Sequence, residues 1–478
     1  MIRDKQTQKN IGDFLIRNNV MILFVVLSTL AFLVSGTSLT FLLPELVTRI
    51  GRNTFIVLSL LIPVVAGLGL NFGIVLGAIS AQISIFLVVL WGFEGFTGLL
   101  LCAIIATPLA ILFGYLVGRL FNSMKGTEMI GGLVAGYFSD GLYQFLFLFA
   151  LGGIIKINNS RLMIPTGVGV KNAINLDGSL KYALDNVSMI AILDVAFFAM
   201  LALTLLRVVY RLVKKEDLQV PKLLRSFLPV AGAYGLSFIP QTSSFLSSTR
   251  LLLLSAVEIG VLIAAIYNIF KLIKERKVQG TIKKRVIYIV LAGVIYGLTY
   301  IDAIYQALLA VRIPVLTFLC LGALCYFIQW FLNTKLGQDM RTVGQSRSVA
   351  TSAGINVDRT RIIAMIMSTV LASYGQIISL QNIGTVATYG AHQQVGLYAI
   401  AALLVGGASV HRATIKQAIL GTILFHSLFI LAPFAGNALM GNAQIGEYFR
   451  VFVAYGVIAV ALAMHAWKAK NGTKKSAK

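Results

Sequence analysis

Apolar residues run along this chain in long blocks, and polar residues are confined to shorter stretches between them. The blocks lie at about 20–42, 54–71, 73–91, 96–118, 128–151, 187–206, 226–240, 250–270, 286–309, 311–332, 360–380, 395–410, 417–434 and 448–467. Most approach the ~20 residues that carry a helix across a hydrocarbon layer. A segment in that layer must satisfy its own backbone hydrogen bonds, so helices are predicted throughout. The pattern reads as an all-α polytopic membrane protein, a helical bundle of about 10–14 transmembrane spans. The 226–240 block is short and holds Pro229 and Pro240, which suits a broken or re-entrant helix. Between Gly67 and Gly77, four glycines (67, 69, 73 and 77) surround Asn71. A continuous helix there costs about 1 kcal/mol per glycine relative to alanine. Either the helix breaks and lines a cavity, or the glycines let a neighbouring helix approach closely.

Composition agrees with the pattern. Of 478 residues, 58% are hydrophobic and 12% charged, and the mean hydropathy is +0.87. Soluble proteins carry about twice that share of charge, so an ordinary soluble enzyme and a disordered chain are both excluded. The charge is lopsided, 40 Lys and Arg against 17 Asp and Glu, a formal +23. In a soluble protein that balance would point to nucleic acid. In a membrane protein it marks the cytoplasmic side. With the N-terminus inside and the spans alternating, 31 of the 40 basic residues fall in 1–19, 119–126, 207–225, 271–285, 335–361, 411–416 and 468–478. The other nine are Arg49, Arg52, Lys156, Arg161, Lys171, Lys181, Arg250, Arg312 and Arg450. Both termini are thus expected in the cytoplasm, with the lipid bilayer as a partner and nucleic acid excluded. No cleavable signal is expected, because the apolar run after Arg17 is long enough to remain as a span.

Candidate chemistry is sparse. Cys102, Cys320 and Cys325 lie in apolar stretches and read as small buried hydrophobes. His392 is placed in an outside loop, His411 at a membrane edge, His426 in a span and His465 near the C-terminal interface. No triad, metal-ligand spacing or Walker pattern appears in the sequence. No catalytic residue, metal or cofactor is expected, and any ATP hydrolysis belongs to another chain.

The polar stretch 334–361 reads TKLGQDMRTVGQSRSVATSAGINVDRTR. Its small residues Ser348 to Ala353 suit a short helix lying close against a neighbour. Gly354 suits a helix C-terminus, and Asp358 an N-cap for the next span, beginning near Arg359. An ordinary solvated loop is the alternative.

The spacing resembles the cytoplasmic loop of ABC importer permeases, whose pattern is Glu-Ala-Ala, three residues, then Gly. Here Ser348-Val349-Ala350 is followed by Thr351, Ser352, Ala353 and Gly354. More closely it resembles the binding-protein-dependent branch that imports branched-chain amino acids, ribose-type sugars and nucleosides. That branch runs Thr-x-x-Gly-x-x-x-Arg-x-x-Gly, then Ala-x-x-x-Gly-Ile-x-Val. This chain supplies Thr334, Gly337, Arg341, Gly344, Ala350, Gly354, Ile355 and Val357 in register. The later stretch from Gly396 to Gly406, Gly407 and Ser409 resembles the family's glycine pair. Near the N-terminus the family carries Asp-Leu-Ser-x-Gly; Gly69 to Gly77 occupies that place with Asn71 and without the Asp or Ser.

The resemblance implies a transmembrane permease domain over 20–467, a cytoplasmic coupling loop with a short coupling helix at 334–359, a cytoplasmic segment 1–19 and a basic cytoplasmic tail 468–478. Residues 207–310 look like an insertion of extra spans. It further implies the bacterial cytoplasmic (inner) membrane, cytoplasmic ATP-binding subunits, a second permease subunit, alike or different, and an external solute-binding protein. The cargo would be a small polar solute: a sugar, nucleoside or branched-chain amino acid. The coupling surface would comprise Arg341, Gly344, Ser348, Val349, Ala350, Gly354 and Asn356. Polar residues inside spans are costly and mark pathways. Asn71, Gln82, Asp140, Gln144 and Gln376 are the candidates for a translocation path, and their near-neutrality suits a sugar or nucleoside better than an ion. A secondary active transporter of 12–14 spans is the alternative; it would show two repeated halves, and none is evident. A membrane enzyme or flippase would carry acids, Arg or His in a large outside loop; 152–186 offers only Asp177 and Asp185.

Overall fold

A computed structural model describes residues 19–214, 220–274 and 279–476. Most of the basic segment 1–19, parts of 207–225 and 271–285, and the end of the 468–478 tail lie outside the described residues. The rest is helical but for two short antiparallel strand pairs. Among the described residues eight helices are long and apolar enough to cross a membrane, or ten if each of two bent pairs is one crossing. Three shorter apolar helices accompany them. The chain divides into two compact units, one formed by 1–182 and 321–478, the other by 183–320.

The first unit is built around the helix Val357–Ile383, which packs against Gly95–Ser123, Leu39–Ser59 and Val75–Leu90. Missing side chains make these crossings close. A Cβ on Gly77 would stand 2.6 Å from the Thr369 carbonyl oxygen, and one on Gly114 would stand 2.7 Å from Ile366 Cα. Without a hydrophobic force between helices in lipid, such backbone proximity is the main source of packing energy. A second group gathers around Ile415–Met440, which packs on Asn19–Ser35, Leu39–Ser59, Gln393–Val405 and Ala443–Ser476. The strand pair Ala173–Asn175 and Thr385–Ala387, in register Ile174 to Val386, ties the 155–188 loop to the end of the central helix.

The Gly67–Gly77 segment both breaks and packs closely, at different glycines, and Leu68, Leu70 and Asn71 at the break are buried against protein. The helix ends at Val65, Gly67 and Gly69 take positive φ angles of 71° and 73°, and a 3-10 turn at Phe72–Ile74 leads into Val75–Leu90. Gly77 lies beyond this break and serves close packing.

The first turn between spans differs from expectation. It falls at Gly36–Ser38, not around Arg49 and Arg52, which lie inside Leu39–Ser59. The polar stretch stays helical because it satisfies itself. Arg49 pairs with Glu45 one turn back at 2.8 Å, and Asn53 donates to the Arg49 carbonyl.

The second unit comprises Met189–Val213, Val220–Leu236, Pro240–Leu246, Leu253–Lys274, Gln279–Leu298 and Asp302–Ala310, with the strand pair Arg250–Leu252 and Arg312–Pro314. Pro229 sits inside a helix, and Pro240 opens the next one. Asp185 accepts a hydrogen bond from Thr317, both buried. Met189–Val213 buries no residue against the protein although it is strongly apolar, a surface suited to lipid. The segment 207–310 falls within this unit.

Candidate functional site

Residues 334–361 form three consecutive helices, each opened by a polar cap. Thr334 Oγ1 accepts from Gly337 N, Ser346 Oγ from Val349 N, and Asn356 Oδ1 from Arg359 N at 2.9 Å. Such caps satisfy amide groups that a helix start leaves open. The expected cap Asp358 is instead in the first turn of the third helix, where it pairs with Lys125 at 3.0 Å. Asn356, two residues earlier, has the extended backbone that a cap needs. The middle helix, Arg347–Ser352, stops at Gly354 with φ of 76°; Ile355 N donates to Ala350 O across the turn.

The predicted coupling residues divide between two faces. Ala350 is fully buried, whereas Ser348, Gly354 and Asn356 are exposed and Val349 is 59% exposed. Arg341 is half-buried. Gly344 lies against the break in the preceding span: a Cβ there would stand 2.1 Å from the Val65 carbonyl oxygen and 3.0 Å from Gly67 N. The loop is thus seated directly on the broken helix.

A carboxylate locks this arrangement. Glu128, first residue of Glu128–Phe145, bonds both Arg347 of the short helix and Arg361 of the central helix. It also accepts from Gly126 N at 2.9 Å. Arg361 is wholly buried and donates in addition to the Phe121 carbonyl.

The same Glu128–Phe145 helix reaches a second polar cluster. His392 Nε2 lies 2.6 Å from Asp140 Oδ1, and its Nδ1 lies 2.9 Å from Gln82 Oε1. Gln144 and Gln393 donate to the other oxygen of Asp140 at 3.1 and 2.9 Å. Tyr143 meets the imidazole edge to face at 4.7 Å. Of the predicted path residues, Gln82, Asp140 and Gln144 are therefore brought together. Asn71 is elsewhere, at the break, donating to Ser368 at 3.3 Å. Gln376 donates to the Ala391 carbonyl and faces a separate cavity.

His392, assigned to an outside loop, is buried and joins the cluster. The polar run Tyr389 to Gln394 that leads into the next helix has the composition of a solvated connection, which hid it. Glu128, Arg347 and Arg361 escape a reading along the chain; Glu128 and Arg361 stand at the start of long apolar runs, and Arg347 carries no such signal. Gln381, near the end of the central helix, is buried, and its backbone carbonyl accepts from Tyr182 N. In the 155–188 loop, a hydrogen bond from Lys181 holds the Asp177 carboxyl below its ordinary range, the two being 2.6 Å apart on the surface.

His392→Leu is expected to lower the stability of the purified protein by about 1–3 kcal/mol, since Asp140 and Gln82 lose a buried partner. Thermal unfolding in detergent measures this; an unchanged melting temperature would show that the cluster is not held by His392.

Residues 228–462 match the family described as the permease component of branched-chain amino acid transport systems. The matched stretch contains the whole coupling loop, His392 and the glycine pair Gly406-Gly407. The D-allose transport system permease protein of Escherichia coli is 25% identical over 179 residues, 36% of this chain and 51% of that protein. The xylose transport system permease protein of Haemophilus influenzae is 28% identical over 143 residues, 30% of this chain and 36% of that protein. Over these stretches the chain is similar to permease components of transport systems. Its matches span about half, and about a third, of the length of these two curated relatives. No solved structure matches it. The matched stretch includes Arg347 and Arg361 but not Glu128, which lies more than 200 positions from both.

Proposed function

We propose that the chain is the transmembrane permease subunit of an ABC importer that moves a small polar solute inward, driven by separate ATP-binding subunits. A second permease subunit, alike or different, would complete the pathway, and an external binding protein would deliver the solute. In this reading the protein sits in the bacterial inner membrane with both termini in the cytoplasm, and it carries no catalysis of its own. The observation that supports it best is the middle helix of the 334–361 loop. That helix turns Val349 outward, free to enter a partner's groove, while its neighbour Gly344 rests on the backbone of the broken span. Force applied to the short helix is passed to the break through backbone contacts, which transmit rigid-body motion well.

The solute class follows from two considerations. The residues proposed for the path, Asn71, Gln82, Asp140, Gln144 and Gln376, with His392 added, offer hydrogen bonds and a single carboxylate already shared among three partners. Both relatives carry monosaccharide names. A neutral sugar fits this reading better than an ion.

Val349→Glu tests it. A charge in the apolar contact is expected to reduce copurification of a coexpressed ATP-binding subunit by tenfold or more, while the melting temperature stays unchanged because Val349 packs on little within its own chain. Undiminished copurification would remove the short helix from the docking surface. Solute uptake by the purified chain alone, driven by a proton or sodium gradient, would overturn the importer assignment itself.

A further inference from the structure

A cavity of about 270 Å³ opens in the first unit, lined in part by Ala391 and Gln394, which flank His392 and Gln393 in the chain. Its floor is formed by Ile56, Val57, Gln376, Leu380 and His426, all more than nine-tenths buried. Its rim is formed by the exposed Ile383, Thr385 and Gln394. The cup therefore opens where the central helix ends, at the opposite end of that helix from the coupling loop. Two polar atoms in its floor have no partner in the protein, Gln376 Oε1 and His426 Nδ1. An unpartnered buried polar group costs about 1–3 kcal/mol. Both atoms are closed off from the cup by neighbouring groups, so a ligand in it reaches them only when these side chains turn toward it.

From this geometry we infer that the cup is a binding site for one neutral, hydroxyl-bearing solute of monosaccharide size. None of its lining residues is Asp, Glu, Lys or Arg. Of the nearby cations Arg49, Arg52 and Arg450, none lines the cup, and Arg49 and Arg450 are engaged by Glu45 and Glu447. The polar lining consists of amides, hydroxyls and an imidazole: Asn53, Gln376, Ser379, Gln394, Tyr398 and His426. Such groups both donate and accept, as a sugar hydroxyl does. Ile56, Val57 and the Tyr398 ring give an apolar wall suited to the C–H face of a pyranose. The volume lies just under the usual lower bound of roughly 300 Å³ for ligand pockets, room for one monosaccharide but not for a disaccharide.

The inference rests on the importer reading for its purpose, but its test does not depend on ATP-binding subunits. Ser379→Cys, in a chain with Cys102, Cys320 and Cys325 changed to Ser, is placed in nanodiscs and labelled with a methanethiosulfonate reagent. D-Ribose and D-glucose at tens of millimolar are expected to slow labelling at least threefold, while ribose 5-phosphate and L-leucine leave it unchanged. Gln376→Leu in the same background is expected to abolish the protection and to change the melting temperature little, because it removes an unpartnered buried oxygen together with the long hydrogen bond to the Ala391 carbonyl. Absence of protection by either sugar would reduce the cup to a water-filled gap and overturn the proposal. Protection by the phosphate or by leucine in preference to the sugars would overturn the solute class. Should protection fail while the complex with its ATP-binding subunits still transports, the cup falls and the importer reading stands.

Discussion

Gly344→Ala is expected to destabilise the protein by about 1–3 kcal/mol or more, and to abolish transport in the reconstituted complex. The added methyl group would stand 2.1 Å from the Val65 carbonyl oxygen, a backbone atom that cannot rotate aside. Either the loop lifts from the break or the break itself shifts, and both disconnect the short helix from the span beneath it. Gly354→Ala is the informative control. It lies in the same loop at φ of 76° with no atom near its Cβ, so only backbone strain of about 1–2 kcal/mol opposes it. The two variants separate strain from contact. Equal melting temperatures and equal transport in both would show that the Gly344 contact carries nothing between loop and span. Thermal unfolding and solute uptake in proteoliposomes supply the readouts.

Glu128→Gln is expected to cost about 3–5 kcal/mol, because it strips the counter-charge from Arg361, which is fully buried. Arg347→Gln removes the other partner of the same carboxylate. Arg347 is 38% exposed, and pairs at that level of exposure are worth about 0–1 kcal/mol. Glu128 then keeps Arg361 and loses only its hold on the short helix. The prediction is an asymmetric pair: Glu128→Gln melts early and expresses poorly, whereas Arg347→Gln melts normally but couples ATP hydrolysis to transport less well. Melting temperatures of the two variants, with the ratio of solute moved to ATP hydrolysed for the second, check it. Arg347→Gln melting as early as Glu128→Gln would mean that the lock is a structural ion pair with no separate role for the short helix.

Local features were legible in the sequence, and those that depend on distant partners were not. Small residues closed by Gly354 announced a short helix, and the glycines around Asn71 announced a break, because backbone preference acts over a few residues. Asp358 and Asn356 both can cap a helix; the choice depends on backbone angles that composition does not reveal. Arg49 and Arg52 looked like a loop because their charge outweighed the Glu45 to Arg49 spacing, which supports a helix at i and i+4. His392 looked solvated because its partners, Gln82 and Asp140, are 310 and 252 residues away. Of the three path residues that share one cluster, Asp140 and Gln144 stand four apart, a spacing that places them on one helix face, whereas nothing along the chain joins Gln82 to them.

The helix Glu128–Phe145 has one further consequence. Glu128, at its first residue, grips the short helix through Arg347, and Asp140, twelve residues on, grips His392. At 1.5 Å per residue the two are about 18 Å apart along one rigid rod. A rod of that length acts as a lever: a tilt of about 10° at the Glu128 end sweeps the Asp140 end through about 3 Å, enough to part a hydrogen bond. The polar cluster and the 334–361 loop are thus joined through a single piece of secondary structure.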